Sequence, residues 1–187
     1  MDQFKDWQDN EISTGKQVVL LVVGALIFPT GIPAILGLLL PQVDKRIGIG
    51  SFYAGYGNII FGVIAILMGG FLAMWTIIAQ IKLASGTPFP MLPTQKLLII
   101  GPFKYCRNPM TLGTLTAYLG VAIWVGSYTA LLAIMIMGSL LILYLKLIEE
   151  KELELRFGQA YLEYKKKTPF ILPNWFIKGD QDSHQEE

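Results

Sequence analysis

Four apolar runs, separated by polar breaks of unequal length, set the frame of the chain. Gln17 to Leu40 carries no charge and exceeds the ~20 residues that a membrane-spanning helix needs. Pro29, Gly31 and Pro33 interrupt it. A proline inside a helix removes a backbone hydrogen bond and kinks the chain, which membrane helices tolerate when neighbours satisfy the freed groups. The run reads as one kinked span, with a re-entrant pair of half-helices as the alternative. Pro41 to Gly50 reads as a short loop, and Asp44 as a loop charge. Tyr53 to Ile81 is a second long run with five glycines, Gly55, Gly57, Gly62, Gly69 and Gly70. Small residues let membrane helices approach closely, so this run is expected to pack inside a bundle. Asn58 reads as a structural contact between helices, or else as a substrate contact.

Lys82 to Pro109 is the longest break, and its prolines, glycines and aromatics exceed what a plain connection needs. Met110 to Val125 and Tyr128 to Ile148 follow, split only by Gly126-Ser127, which leaves room for nothing but a tight helical hairpin. The first is marginal for a span unless its helix starts just after Pro109, a favourable place for a helix to start. Beyond Ile148 the composition turns charged while helical propensity continues. Phe157, Tyr161 and Tyr164 recur at helical spacing. The last helix is therefore expected to leave the bilayer and continue to about Lys165. Thr168 to Trp175, with two prolines, should then turn back along the surface. Met1 to Lys16 reads as an interfacial segment anchored by Phe4 and Trp7, without the basic region of a standard signal peptide. Gly179 to Glu187 reads as a disordered tail.

Composition supports this frame. Hydrophobic residues make up 53% and charged residues 16%, against about 25% charged in soluble domains. The net charge of +1 gives no field to recruit nucleic acid. Cys106 is the single cysteine and His184 the single histidine, so neither a disulfide framework nor a Cys- or His-based metal centre is expected. All fifteen basic residues except Lys45 and Arg46 fall on one side of a four-span arrangement. Both termini and the long break are therefore expected in the cytoplasm.

Two groups of residues then share that side. Tyr105-Cys106-Arg107-Asn108-Pro109 offers a planar guanidinium suited to carboxylate or phosphate, with backbone groups and aromatic faces at Phe103 and Tyr105. Glu149-Glu150 offers acceptors for an ammonium or a ribose diol. Helical neighbours point about 100° apart, so one glutamate of the two is expected to face a ligand. Arg107 and Lys104 also read as positive-inside anchors, and the glutamates as a solvated helix exit paired with Lys146. Lys165-Lys166-Lys167 reads as an anchor to anionic headgroups, and Cys106 as a packing residue.

The ordered set Gly86-Thr87-Pro88-Phe89-Pro90, then Gly101 to Met110, then Glu149-Glu150, Phe157-Gly158, Tyr161 and Tyr164 resembles the isoprenylcysteine carboxyl methyltransferase and phospholipid methyltransferase superfamily. It covers roughly residues 84–175. The resemblance implies an integral membrane enzyme that uses S-adenosyl-L-methionine, with Arg107, Asn108, Pro109, Glu149 and Glu150 in the cofactor pocket, and Tyr105 and Tyr164 beside them. Arg107, Asn108 and Glu150 carry the catalytic expectation. Asn108 stands where eukaryotic members commonly have histidine, and it cannot titrate near neutral pH. Thr111 stands where relatives often have tyrosine.

The expected protein is thus all-α, a polytopic membrane helical bundle of about four transmembrane helices. A cytoplasmic cofactor pocket forms between the loop before the third helix and the extended last helix. Residues 1–187 form one domain, with two spans in 1–81 and the loop, hairpin and C-terminal helix in 82–175. The acceptor is lipid-like or prenylated, isoprenylcysteine-type carboxyl methylation coming first and phospholipid amine methylation second. A bacterial plasma membrane is expected before an organellar one. The rival classes are a nicotinamide-dependent membrane reductase, which has no room here for its extra N-terminal spans, and a non-enzymatic scaffold or transporter. A transporter would carry polar groups at mid-membrane depth, and these runs are nearly free of charge.

Overall fold

The computed structural model describes residues 23–24, 26–52, 55–83 and 97–173. The expected interfacial segment at 1–16, the Gly86–Pro90 motif and the 179–187 tail lie outside these residues. The described residues form helices and connecting turns, with no strand among them. Helix α1 runs over Ile27–Arg46, α2 over Tyr56–Leu83, α3 over Pro109–Val125, α4 over Tyr128–Phe157 and α5 over Gln159–Lys167. By length and composition α1, α2 and α4 can each cross a membrane, and α3 is a shorter apolar helix. At about 1.5 Å per residue, α3 falls a few Å short of a ~30 Å hydrocarbon core. It starts on Pro109 itself, and the turns that precede it complete that end of the bundle.

Helix α1 is one continuous helix and not two half-helices. Two wide turns, Ile27–Gly31 and Ile35–Leu39, absorb its prolines. In the first, the Ile32 N–H donates to the Ile27 carbonyl. The next bond in that pattern would need an N–H from Pro33, which has none. The Phe28 carbonyl instead accepts from the Tyr118 hydroxyl of α3 at 2.7 Å, which satisfies it within the bundle as an apolar solvent requires.

The expected loop at Pro41–Gly50 is helical as far as Arg46, which corrects its reading. Pro41 follows the second wide turn, in which the Leu40 N–H donates to the Ile35 carbonyl, and the next bond in that pattern is the one Pro41 cannot donate. Asp44 is accordingly not a loop charge. It is 2% exposed, and it accepts from the Ser127 hydroxyl at 2.6 Å and the Thr129 N–H at 3.1 Å. Ser127 also caps α4 by accepting from the Ala130 N–H. The α3–α4 turn is the expected tight hairpin, made possible by Gly126 at φ 65°.

Helices α2 and α3 pack backbone to backbone along their length. A Cβ at Gly113 would lie 2.6 Å from the Ala73 nitrogen, and one at Gly62 would lie 2.7 Å from the Trp124 side chain. Asn58 joins the same pair of helices, donating to the carbonyls of Phe52 and Ile123 at 3.0 and 2.9 Å. It acts as a structural contact. A small buried core of Leu36, Tyr118, Ala122, Ala130 and Ile134 ties α1, α3 and α4 together. Large apolar side chains elsewhere on α1, α2 and α4 face outward, as a lipid-facing surface requires.

The last helix does not continue to Lys165, contrary to expectation. It stops at Phe157, and Gly158 at φ 53° turns the chain into the separate α5. Positive φ is open to glycine at little steric cost. The turn divides the aromatic stripe, leaving Phe157 half-buried while Tyr161 and Tyr164 are buried.

Candidate active site

Residues before α3 form a compact turn. Gly101–Lys104 is a short 3-10 segment. Its Phe103 packs on Ala79 of α2 and on Leu98. Pro109, fully buried, begins α3 with its fixed φ. Asn108 precedes the helix but makes no side-chain cap. Its Nδ2 donates instead to the Phe170 carbonyl at 3.0 Å. The Arg107 N–H donates to the Pro169 carbonyl at 2.9 Å, and the Arg107 guanidinium lies 5.4 Å from the centroid of the Phe170 ring, within reach of a cation–π attraction. The segment after α5 thus closes back over the turn, as its prolines suggest.

Helix α4 supplies the acidic wall through a break in its own periodicity. Ile134, Gly138 and Leu145 are buried at ordinary helical spacing. The wide turn Leu145–Glu149 then inserts extra arc, and the next buried residue is Glu150, five positions after Leu145. Such wide turns recur at functional sites. Glu150 Oε1 accepts a short hydrogen bond from Arg107 Nη1, and the side chains are 7% and 11% exposed. Lys165 Nζ lies 2.7 Å from Glu150 Oε2 and 2.7 Å from Glu154 Oε1. Pairing with Glu150 first, and Glu154 second, raises the Lys165 ammonium above the usual lysine value. The Tyr164 hydroxyl donates to the Phe103 carbonyl at 2.7 Å, and burial pushes that hydroxyl upward in pKa. Burial also pushes the Cys106 thiol up to about 11, so it is neutral at physiological pH and fits a packing role.

These contacts surround a cavity of about 80 Å³ between α2, the turn, α4 and α5. That is smaller than the ~300–1,000 Å³ of small-molecule sites, so a nucleoside-sized ligand requires the walls to part. Of the residues expected in a pocket, Arg107, Asn108, Glu149, Glu150 and Tyr164 border this cavity. Glu150 holds the ion pairs, and Glu149, half-buried, borders the cavity too, so both glutamates reach it. Tyr105 and Pro109 are not among its lining residues. Tyr105 is 38% exposed, and Pro109 is buried as a helix start.

Several lining or supporting residues gave no clear signal in the sequence. Lys165 reads there as a headgroup anchor, and the structure corrects this by pairing it with two glutamates. Tyr161, part of the resembling set but given no pocket role there, borders the cavity, as do Gln80, Leu145 and Leu153. Two buried polar atoms, Gln80 Oε1 and Arg107 Nε, have no hydrogen-bond partner among the described residues, and both residues face the same cavity. A buried ion pair contributes little to stability in itself, and orphaned buried groups cost stability. Their concentration at one cavity makes it the candidate site. Among the described residues no cluster suited to a metal ion occurs.

The fold and this cavity define a polytopic helical membrane protein with a charged pocket at one end of the bundle. Residues 58–160 match the model of the phospholipid methyltransferase family, more than half of the chain. The protein belongs to that family, within the wider superfamily of membrane methyltransferases that its motifs resemble, and is a membrane methyltransferase. No curated protein and no solved structure gives a significant match.

Proposed function

We propose that the protein transfers a methyl group from S-adenosyl-L-methionine to a lipid-like acceptor at the membrane boundary. The observation that carries this reading is the Arg107–Glu150–Lys165 charge network beside two orphaned polar atoms in one cavity. The residues present fit that cofactor. Arg107 offers its Nε–H toward a carboxylate, Glu149 and Glu150 offer acceptors, and Phe103, Tyr161 and Tyr164 offer apolar and aromatic walls. When bound, the cofactor supplies an electrophilic methyl group on a sulfonium. The chain's residues hold and orient the reactants and keep water out. Positioning of this kind can lower a barrier by ~7–11 kcal/mol.

Two acceptor chemistries are supported by different observations. Among the described residues no histidine borders the cavity, which favours an acceptor already ionised at neutral pH, such as the carboxylate of a prenylated cysteine. The family's description favours the amine of a phospholipid. With the basic residues placed as the sequence has them, the pocket end faces the cytoplasm.

Calorimetry on the purified full chain in detergent tests the cofactor. Micromolar binding of S-adenosylhomocysteine without binding of NADPH is expected, and the reverse pattern overturns the reading in favour of a reductase. Methyl-labelled cofactor, offered with a prenylcysteine and separately with phosphatidylethanolamine vesicles, identifies the acceptor by its labelled product.

A further inference from the structure

Helix α2 is apolar and largely faces outward, yet it carries Asn58, Thr76 and Gln80 along its length. The first two are satisfied by the protein. Asn58 donates to two carbonyls, and the Thr76 hydroxyl donates to the Leu72 carbonyl at 2.8 Å. Gln80 differs. Its Oε1 is buried without a partner among the described residues, while its residue borders the cavity that also holds Arg107 Nε, unpartnered in the same sense. A lone amide acceptor in such a place is costly, because it has given up its bond to water. Its neighbour Ala79 is packed on Leu98 and Phe103, so this end of α2 is fixed against the turn that carries Arg107.

We propose that Gln80 is a ligand-contacting residue of the pocket, its side-chain oxygen accepting a hydrogen bond from an N–H group of the bound cofactor. The inference rests on the proposed function and adds a wall to the site. The second transmembrane helix, outside the loop and the glutamate pair, reads part of the ligand. The orphaned pair is complementary. Arg107 Nε–H is a donor and Gln80 Oε1 an acceptor, which suits a ligand carrying both an acceptor and an N–H donor. In S-adenosylhomocysteine the candidate N–H groups are the ammonium of the amino acid and the exocyclic amine of the base.

Affinities of the full chain in detergent test this, with wild type, Gln80→Leu and Gln80→Glu measured against S-adenosylhomocysteine. Leucine removes the acceptor and is expected to weaken binding at least tenfold. Glutamate keeps an acceptor and loses the donor, and is expected to stay within a few-fold of wild type. Two analogues, one lacking the base amine and one lacking the amino-acid ammonium, locate the contact. The analogue without the contacted group binds wild type weakly and is insensitive to Gln80→Leu. If leucine prevents folding, Gln80→Met replaces it, with the same tenfold loss expected. Wild-type affinity retained by the apolar variant, with Arg107→Ala still impaired, overturns the inference and leaves the proposed function standing. A loss in Gln80→Glu equal to that in Gln80→Leu also overturns it, because the amide would then be donating. Failure of wild type to bind S-adenosylhomocysteine removes both.

Discussion

Lys165 Nζ sits 2.7 Å from Glu150 Oε2, on the far side of that carboxylate from Arg107. A single buried glutamate thus holds two cations from two different elements, the turn before α3 and helix α5. The Lys165 ammonium is raised above its ordinary value of 10.5 by this pairing. A group whose folded pKa is raised stabilises the fold below the unfolded pKa, and that contribution is lost as pH climbs through the folded one. Lys165→Met is therefore expected to lower the melting temperature at pH 7. The gap from wild type narrows only above about pH 10.5, the unfolded lysine value. The lysine is partly exposed, so its contribution is discounted to about 1 kcal/mol or less. Thermal unfolding in detergent at pH 7, 9 and 11 checks this. A gap that is constant across the series excludes the ionic role.

Arg107 and Glu150 are coupled through one hydrogen bond in a buried setting. Arg107→Ala and Glu150→Gln are each expected to weaken binding of S-adenosylhomocysteine several-fold or more. The double variant should lose less than the sum of the two in free energy, because residues in contact are not additive. Lys165 remains to neutralise Glu150 in Arg107→Ala, so that variant should still fold. Additive losses would show that the two side chains act on the ligand separately.

Gly69 and Gly70 are adjacent in sequence and opposite in consequence. A Cβ at Gly69 would run into the backbone of α3 at Gly113 and Ala117, whereas one at Gly70 meets nothing within 4 Å. Gly69→Ala is expected to destabilise by about 1–3 kcal/mol through overpacking. Gly70→Ala should be neutral, or stabilise by up to about 1 kcal/mol from helix propensity. Unfolding of the two variants side by side decides this. Equal effects would mean that α2 and α3 are not in close contact.

Cys106 is 2% exposed with its thiol pushed up to about 11. The thiolate is the reactive form, so maleimide labelling of the native protein at pH 7.5 should be negligible and should become complete on denaturation. Labelling at the rate of a free thiol before unfolding would place the turn before α3 in the open.

The helical runs and the hairpin at Gly126-Ser127 were legible because apolar length and glycine punctuation are local signals. So was the meeting of the turn with the glutamates, through the resemblance of their motifs. The departures share a cause. Pro41 to Gly50 reads as a short loop, but the wide turn before Pro41 accommodates the proline and the helix runs on to Arg46. Gly158 was read as part of a continuing helix, yet its positive φ depends on where α5 can dock. Lys165 looked like its lysine neighbours, because which lysine meets Glu150 is decided by that same turn. Glu149 and Glu150 could not be told apart, because the wide turn before them shifts the helical phase that a 3.6-residue period assumes.

That wide turn lies near the end of a long climb. Tyr128 to Glu150 rises about 33 Å at ~1.5 Å per residue, slightly more than a ~30 Å hydrocarbon core. A span that begins at Tyr128 would therefore leave the carboxylate just above the acyl chains, with the helix below it among them. A host bilayer a few Å thicker would draw Glu150 and its two cations toward hydrocarbon, and a thinner one would lift them into bulk water. On the proposed function, the level at which a lipid-like acceptor meets the pocket would then be set by the length of one helix, and activity is expected to vary with bilayer thickness.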